Sequence, residues 1–71
     1  MTGITGAAFM AELRARGFRM AGNRIASGEC PGIVWKPVMN ARGRIDRART
    51  LRKVIEERRK EIVRQKLTSM T

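Results

Sequence analysis

Apolar residues in this chain recur at helical spacing near its two ends and alternate with basic residues between them. Phe9 and Leu13 stand four apart in a stretch of helix-compatible Ala7, Ala8, Ala11 and Ala15, so they share one face of a helix over 5–16. Thr5 suits the N-cap, where its hydroxyl accepts from a free backbone N–H. Gly17 follows the last helical residue, where a left-handed cap is easily adopted. Met10 flanks the buried face. A helix this short is not stable alone and must pack on something.

Phe18-Arg19-Met20 alternates apolar and basic, and Arg24-Ile25-Ala26 follows Ala21-Gly22-Asn23. Alternation around a Gly-Asn pair predicts a β-hairpin with Phe18, Met20 and Ile25 facing the core. Ser27-Gly28-Glu29-Cys30-Pro31-Gly32 is turn chemistry. Ile33-Val34-Trp35 predicts a third short strand or an extended segment, limited by Pro37, which has no N–H for a ladder. Val38-Met39 continues the apolar surface, and Asn40-Ala41-Arg42-Gly43 predicts another turn.

From about 46 to 67 no Gly or Pro interrupts the chain, which predicts one long helix. Ala48, Leu51, Ile55 and Ile62 fall on a narrow stripe, with Ile45 and Val63 at its flank. Lys53, Glu57, Lys60 and Arg64 are expected on the solvated face, and Glu56 with Lys60 forms an acid-first i,i+4 pair. Residues 68–71 are expected to fray. The fold class is therefore a small α+β domain over 1–71: a short N-terminal helix, a β-hairpin with a possible third short strand, and a long basic C-terminal helix.

Composition narrows the function. Seventy-one residues make one small domain and leave no room for a multi-domain enzyme. About 42% are apolar and 31% charged, so a folded chain is expected. There is no His and no Tyr, which removes a His general base, a Ser/His/Asp triad and a Cys/His pair. The single Cys30 forms no internal disulfide, fits a reducing compartment and reads as a small turn or core residue. Zinc needs several Cys or His ligands. Neither catalysis, nor a cofactor, nor a metal is expected. No apolar run approaches a bilayer span, and the first six residues lack a basic-then-apolar leader pattern. A cytoplasmic protein without a membrane partner is expected.

The net charge is +10, and twelve of the sixteen cations are Arg. Residues 1–35 carry four cations and two acids, whereas 36–71 carry twelve cations and four acids. Arg42, Arg44, Arg47, Arg49, Arg52 and Lys53 gather around the start of the last helix, interrupted by Asp46. Cations there oppose the macrodipole, at a cost of about 0.3–1 kcal/mol for each poorly placed charge. An anion at that end relieves the conflict, because free N–H groups and Arg forks point at it together. The alternative is an Arg-rich solvated face with Asp46 as N-cap. Trp35, beside Lys36, suits either a core position or a partner contact. Met10, Met20 and Met39 suit gap-filling core positions.

Two stretches resemble the TubC N-terminal docking-domain family. Leu13-Arg14-Ala15-Arg16-Gly17-Phe18-Arg19-Met20-Ala21-Gly22-Asn23-Arg24-Ile25 is similar to that family's helix end, Gly and paired strands. Ile55-Glu56-Glu57-Arg58-Arg59-Lys60-Glu61-Ile62-Val63-Arg64-Gln65-Lys66-Leu67 resembles its closing helix. The link over 26–50 is longer than the family's. The resemblance implies a compact α/β domain, often a homodimer, that receives an acidic peptide along an exposed strand edge flanked by Arg19 and Arg24.

The expectation is a small non-enzymatic basic protein that contacts the phosphate backbone of nucleic acid through the Arg cluster. Its size and charge suit a phage or mobile element. The alternative is a docking adaptor or inhibitor that meets an acidic protein surface through the hairpin edge and the basic helix. Arg19, Arg24, Trp35 and Lys36 are the further contact candidates.

Overall fold

A computed structural model describes residues 4–69; residues 1–3 and 70–71, the latter part of the segment expected to fray, lie outside the described residues. The first helix, α1, spans Gly6–Ala15. Thr5 Oγ1 accepts the Ala8 N–H at 3.1 Å, as its place before the helix predicts. At the other end the Gly17 N–H donates to the Arg14 carbonyl at 3.0 Å. Gly17 takes φ +83°, and a Cβ there would also lie 3.5 Å from Arg58 Nη1. Phe9 and Leu13 are the buried residues of α1.

Strands β1 (Phe18–Ala21) and β2 (Arg24–Ser27) form the hairpin, with Met20 opposite Ile25 and Ala21 opposite Arg24. Gly22 has φ +66° and Asn23 does not share the positive sign, so the two-residue turn has Gly where a type II′ turn requires it. Strand β3 (Val34–Trp35) pairs antiparallel with β2, placing Trp35 opposite Ile25. The sheet order is β1-β2-β3. Phe18 and Ile25 are buried and Met20 is half-buried, as the alternation predicts. Ala26 and Ser27 are buried as well, because β2 has a strand on each side.

A small turn follows. Asn40 Oδ1 accepts the N–H groups of Arg42 (2.8 Å) and Arg44 (3.1 Å), and Met39 bridges Ile45. The Asp46 N–H donates to the Val38 carbonyl at 2.8 Å. The second helix, α2, spans Arg47–Ser69. Asp46 caps it, with Oδ1 accepting the Arg49 N–H at 3.0 Å. Thr50 then ties the helix to the preceding loop: its Oγ1 accepts the Val38 N–H at 2.9 Å and donates to the Asp46 carbonyl at 2.7 Å.

The buried face of α2 matches the expected stripe at Leu51, Ile55 and Ile62 and departs from it at Ala48, Thr50 and Val54. Thr50, Leu51 and Val54 are buried, Ile55 and Ile62 pack half-buried against the core, and Ala48 is exposed. Thr50 ties α2 to Val38 of the loop after β3, and Val54, one turn on, lies on the same buried face while Ala48 does not. Lys60 pairs with Glu57 at 3.9 Å rather than with Glu56. Lys53 and Glu57 are half-buried rather than fully solvated. The helix also runs beyond 67: Thr68 Oγ1 donates to the Arg64 carbonyl and Ser69 Oγ to the Gln65 carbonyl.

The core joins Phe9, Leu13, Phe18, Ile25, Cys30, Trp35, Leu51 and Val54. Met10 and Met20 pack against it, but Met39 is 53% exposed, a correction to its expected core place. Phe18 and Trp35 meet edge to face, centroids 6.0 Å apart. The molecule measures 48 × 23 × 22 Å. Its length comes from α2, about 34 Å long at 1.5 Å per residue, whose residues from Val63 to Ser69 are all exposed.

Candidate nucleic-acid interface

The six clustered cations do not act as one helix start. Arg42 and Arg44 sit on the Asn40 turn before α2. Arg47, in the first turn, points the other way: its Nη1 donates to the Ile4 carbonyl at 2.9 Å, beside the start of α1. Arg47 lies one turn before Leu51, on the core-facing side of α2, and this register turns it from the others. Arg49 makes an ion pair with Asp46 at 3.5 Å, mostly in solvent. The Asp46 carboxylate therefore meets the positive end of the helix itself, which softens the dipole conflict expected there.

Arg49, Arg52 and Lys53 remain together on the outer side, lining a shallow groove with Glu56 and Glu57. Lys53 folds back so that Nζ donates to the Lys36 carbonyl at 2.9 Å. Lys36 in turn borders a second groove, about 310 Å³, with Asn23, Arg24, Pro37, Met39 and Ile45. The Lys53–Lys36 hydrogen bond thus links the two grooves, setting Arg24, Lys36, Lys53, Arg52 and Arg49 along one basic track. Arg19 is exposed, on the same sheet face as Arg24 by strand register. Trp35 is only 8% exposed, so burial corrects its candidacy as a partner contact and supports the core reading.

Charge on the track is poorly neutralised. Of the sixteen cations, Arg16, Arg49, Arg58, Lys60 and Arg64 have a carboxylate within 4 Å. Arg24, Lys36, Arg42, Arg44, Arg52 and Lys53 make no ion pair among the described residues. Three of the six acids are engaged away from the track, Glu12 with Arg16, Glu29 with Arg58 and Glu61 with Arg64, whereas Asp46, Glu56 and Glu57 lie beside it.

The apolar part of this surface, Met39 and Ile45, was absent from the sequence-derived site. A signal existed: apolar residues flank a five-residue segment that begins with Asn and contains Gly. Such a tight turn holds its flanking side chains out as a pair. Among the described residues no cluster of three or more His, Cys, Asp or Glu could hold a metal ion, and no helix is long and apolar enough to cross a membrane.

Fold and surface together define a small α+β chain with a basic track at the N-terminal end of its long helix. Compared with known proteins, the chain matches no family model, no curated protein and no solved structure.

Proposed function

We propose that this protein binds nucleic acid through the phosphate backbone, along the track from Arg24 and Lys36 to Lys53, Arg52 and Arg49, with Arg42 and Arg44 on the adjoining turn. The observation that carries the reading is that Arg24, Lys36 and Arg52, with Arg42 and Arg44 on the turn, are exposed and have no carboxylate partner within 4 Å among the described residues. Arg forks and Lys ammonium groups on such a surface release counterions when they meet phosphates, and this favours association regardless of sequence.

Fluorescence anisotropy with a labelled oligonucleotide tests it. A footprint of about four phosphates weakens binding roughly fifty- to a hundred-and-fifty-fold between about 50 and 200 mM salt. Combining Arg49→Glu with Arg52→Glu reduces affinity and flattens that salt dependence, whereas Arg47→Gln leaves both nearly unchanged because Arg47 is turned toward Ile4. Salt-insensitive binding, or full binding by the double charge reversal, overturns the reading.

A second reading draws on β1. This strand forms an outer edge of the sheet and carries exposed Arg19. An acidic peptide laid beside it would gain backbone hydrogen bonds and charge contacts, as the resemblance to the TubC N-terminal docking-domain family implies. Capture of a protein partner that survives nuclease treatment and fails with Arg19→Glu supports this reading over the first.

A further inference from the structure

We propose that the groove beside the hairpin turn seats one unstacked base, so that the protein prefers single-stranded nucleic acid to duplex. The proposal rests on the phosphate-binding reading above and specifies its substrate class.

The floor of the groove is apolar: Pro37, Met39 and Ile45. Met39 is 53% and Ile45 40% exposed, so their side chains await a cover that the fold does not supply. They are held in place by the bridge between them and by the Asn40 turn. Arg24 and Lys36 stand at the rim, and no carboxylate lines the groove. Asn23 adds a side-chain amide, which can both donate to and accept from a base edge. At about 310 Å³ the groove lies at the low end of the roughly 300–1,000 Å³ that small-molecule sites span. It suits one flat ring system and not a helix.

Such a floor rewards a partner that brings an apolar ring and a negative charge together. A duplex keeps its bases stacked and presents only their edges, whereas a single strand can turn a base face onto the floor. Beyond the groove, Lys53 is hydrogen-bonded to the Lys36 carbonyl and lines the neighbouring groove with Arg52 and Arg49, so cations extend past the apolar floor. A polymer with a charge at every unit matches this continuity better than a peptide, whose charges are set by its sequence.

The test uses the full chain and three labelled probes of equal length: oligo-dT, the duplex of oligo-dT with oligo-dA, and a base-free deoxyribose-phosphate oligomer. Oligo-dT should bind about tenfold more tightly than the base-free oligomer and more tightly than the duplex. Combining Met39→Ser with Ile45→Ser should weaken oligo-dT binding about fivefold while leaving the base-free oligomer unaffected. Arg24→Gln should weaken all three probes. Unchanged Trp35 emission in each variant confirms that the fold is intact.

Equal binding of oligo-dT and the base-free oligomer overturns the base seat while leaving phosphate binding in place. So does a double Ser variant that weakens both probes alike. If none of the probes binds, the underlying phosphate reading fails first. If an acidic, Leu-containing peptide displaces oligo-dT and its own binding depends on Met39, the groove is a peptide site and the proposal fails.

Discussion

Arg58 shows how one cation can serve the fold and be lost to any partner. Its side chain is 16% exposed. Nη1 donates to the Arg16 carbonyl at 2.5 Å and reaches Ser27 Oγ at 3.3 Å; Nε lies 3.4 Å from Glu29. The guanidinium also stacks 4.0 Å above the Phe18 ring. It joins the end of α1, the sheet and α2. Arg58→Ala should cost about 2–3 kcal/mol in urea unfolding, and Arg58→Lys should restore only part, because an ammonium lacks the planar fork. Glu29 is largely exposed, so Glu29→Gln should cost no more than about 1 kcal/mol. Equal losses from Arg58→Ala and Glu29→Gln would refute this division.

Cys30 lies within the same neighbourhood. Burial first, then the Glu61 and Glu29 carboxylates, push its thiol up, with Arg58 opposing. The neutral thiol is thus favoured more in the native state than in the unfolded chain. The stability this gives is complete at neutral pH and is lost as pH rises past the ordinary thiol range through the raised native value. Cys30→Ala should flatten that alkaline decline in a urea series taken at increasing pH. Native Cys30 should also resist alkylation at neutral pH until the protein is unfolded.

At the scale of elements, the junction between the Asn40 turn and α2 depends on Thr50. Thr50→Val keeps the shape but leaves the buried-side Val38 N–H without its acceptor, and should cost about 1–3 kcal/mol by thermal unfolding. Asp46→Ala removes the cap and should cost about 0.5–2 kcal/mol. A neutral Thr50→Val would show that the loop finds another partner.

This junction also marks how far the sequence could be read. Both helices, the hairpin and the short third strand followed from local signals: Thr5 before α1, Gly17 after it, Gly-Asn between alternating runs, and a Gly- and Pro-free stretch for α2. On the face of α2, Leu51, Ile55 and Ile62 followed from their spacing; the burial of Thr50 did not, because it is tied to Val38, twelve residues away, by a bond that periodicity does not register. The same limit applied to the basic cluster. Spacing gathered six cations, whereas Ile4, Asp46 and the Lys36 carbonyl decided where Arg47, Arg49 and Lys53 turned. The apolar floor depended on a turn folding back so that Met39 meets Ile45, a pairing legible only in three dimensions.

For the whole molecule, charge is both asset and burden. A net charge of +10 on 71 residues sets like charges against one another in the compact state, and salt screens that repulsion. The melting temperature should therefore rise with sodium chloride in the same range where oligonucleotide affinity falls. A melting temperature that drops with added salt would show instead that the internal ion pairs outweigh the repulsion.

The projecting end of α2 has a hydrodynamic consequence. A body 48 Å long and about half as wide spins about its long axis faster than it tumbles end over end. Amide bonds of a helix point along its axis, so nitrogen relaxation should report slower reorientation for α2 than for amides lying across the body in the sheet. A strand held at the basic end, about 24 Å along the axis from Ser69 to Lys53, would alter that ratio and make the rotor itself a reporter of occupancy.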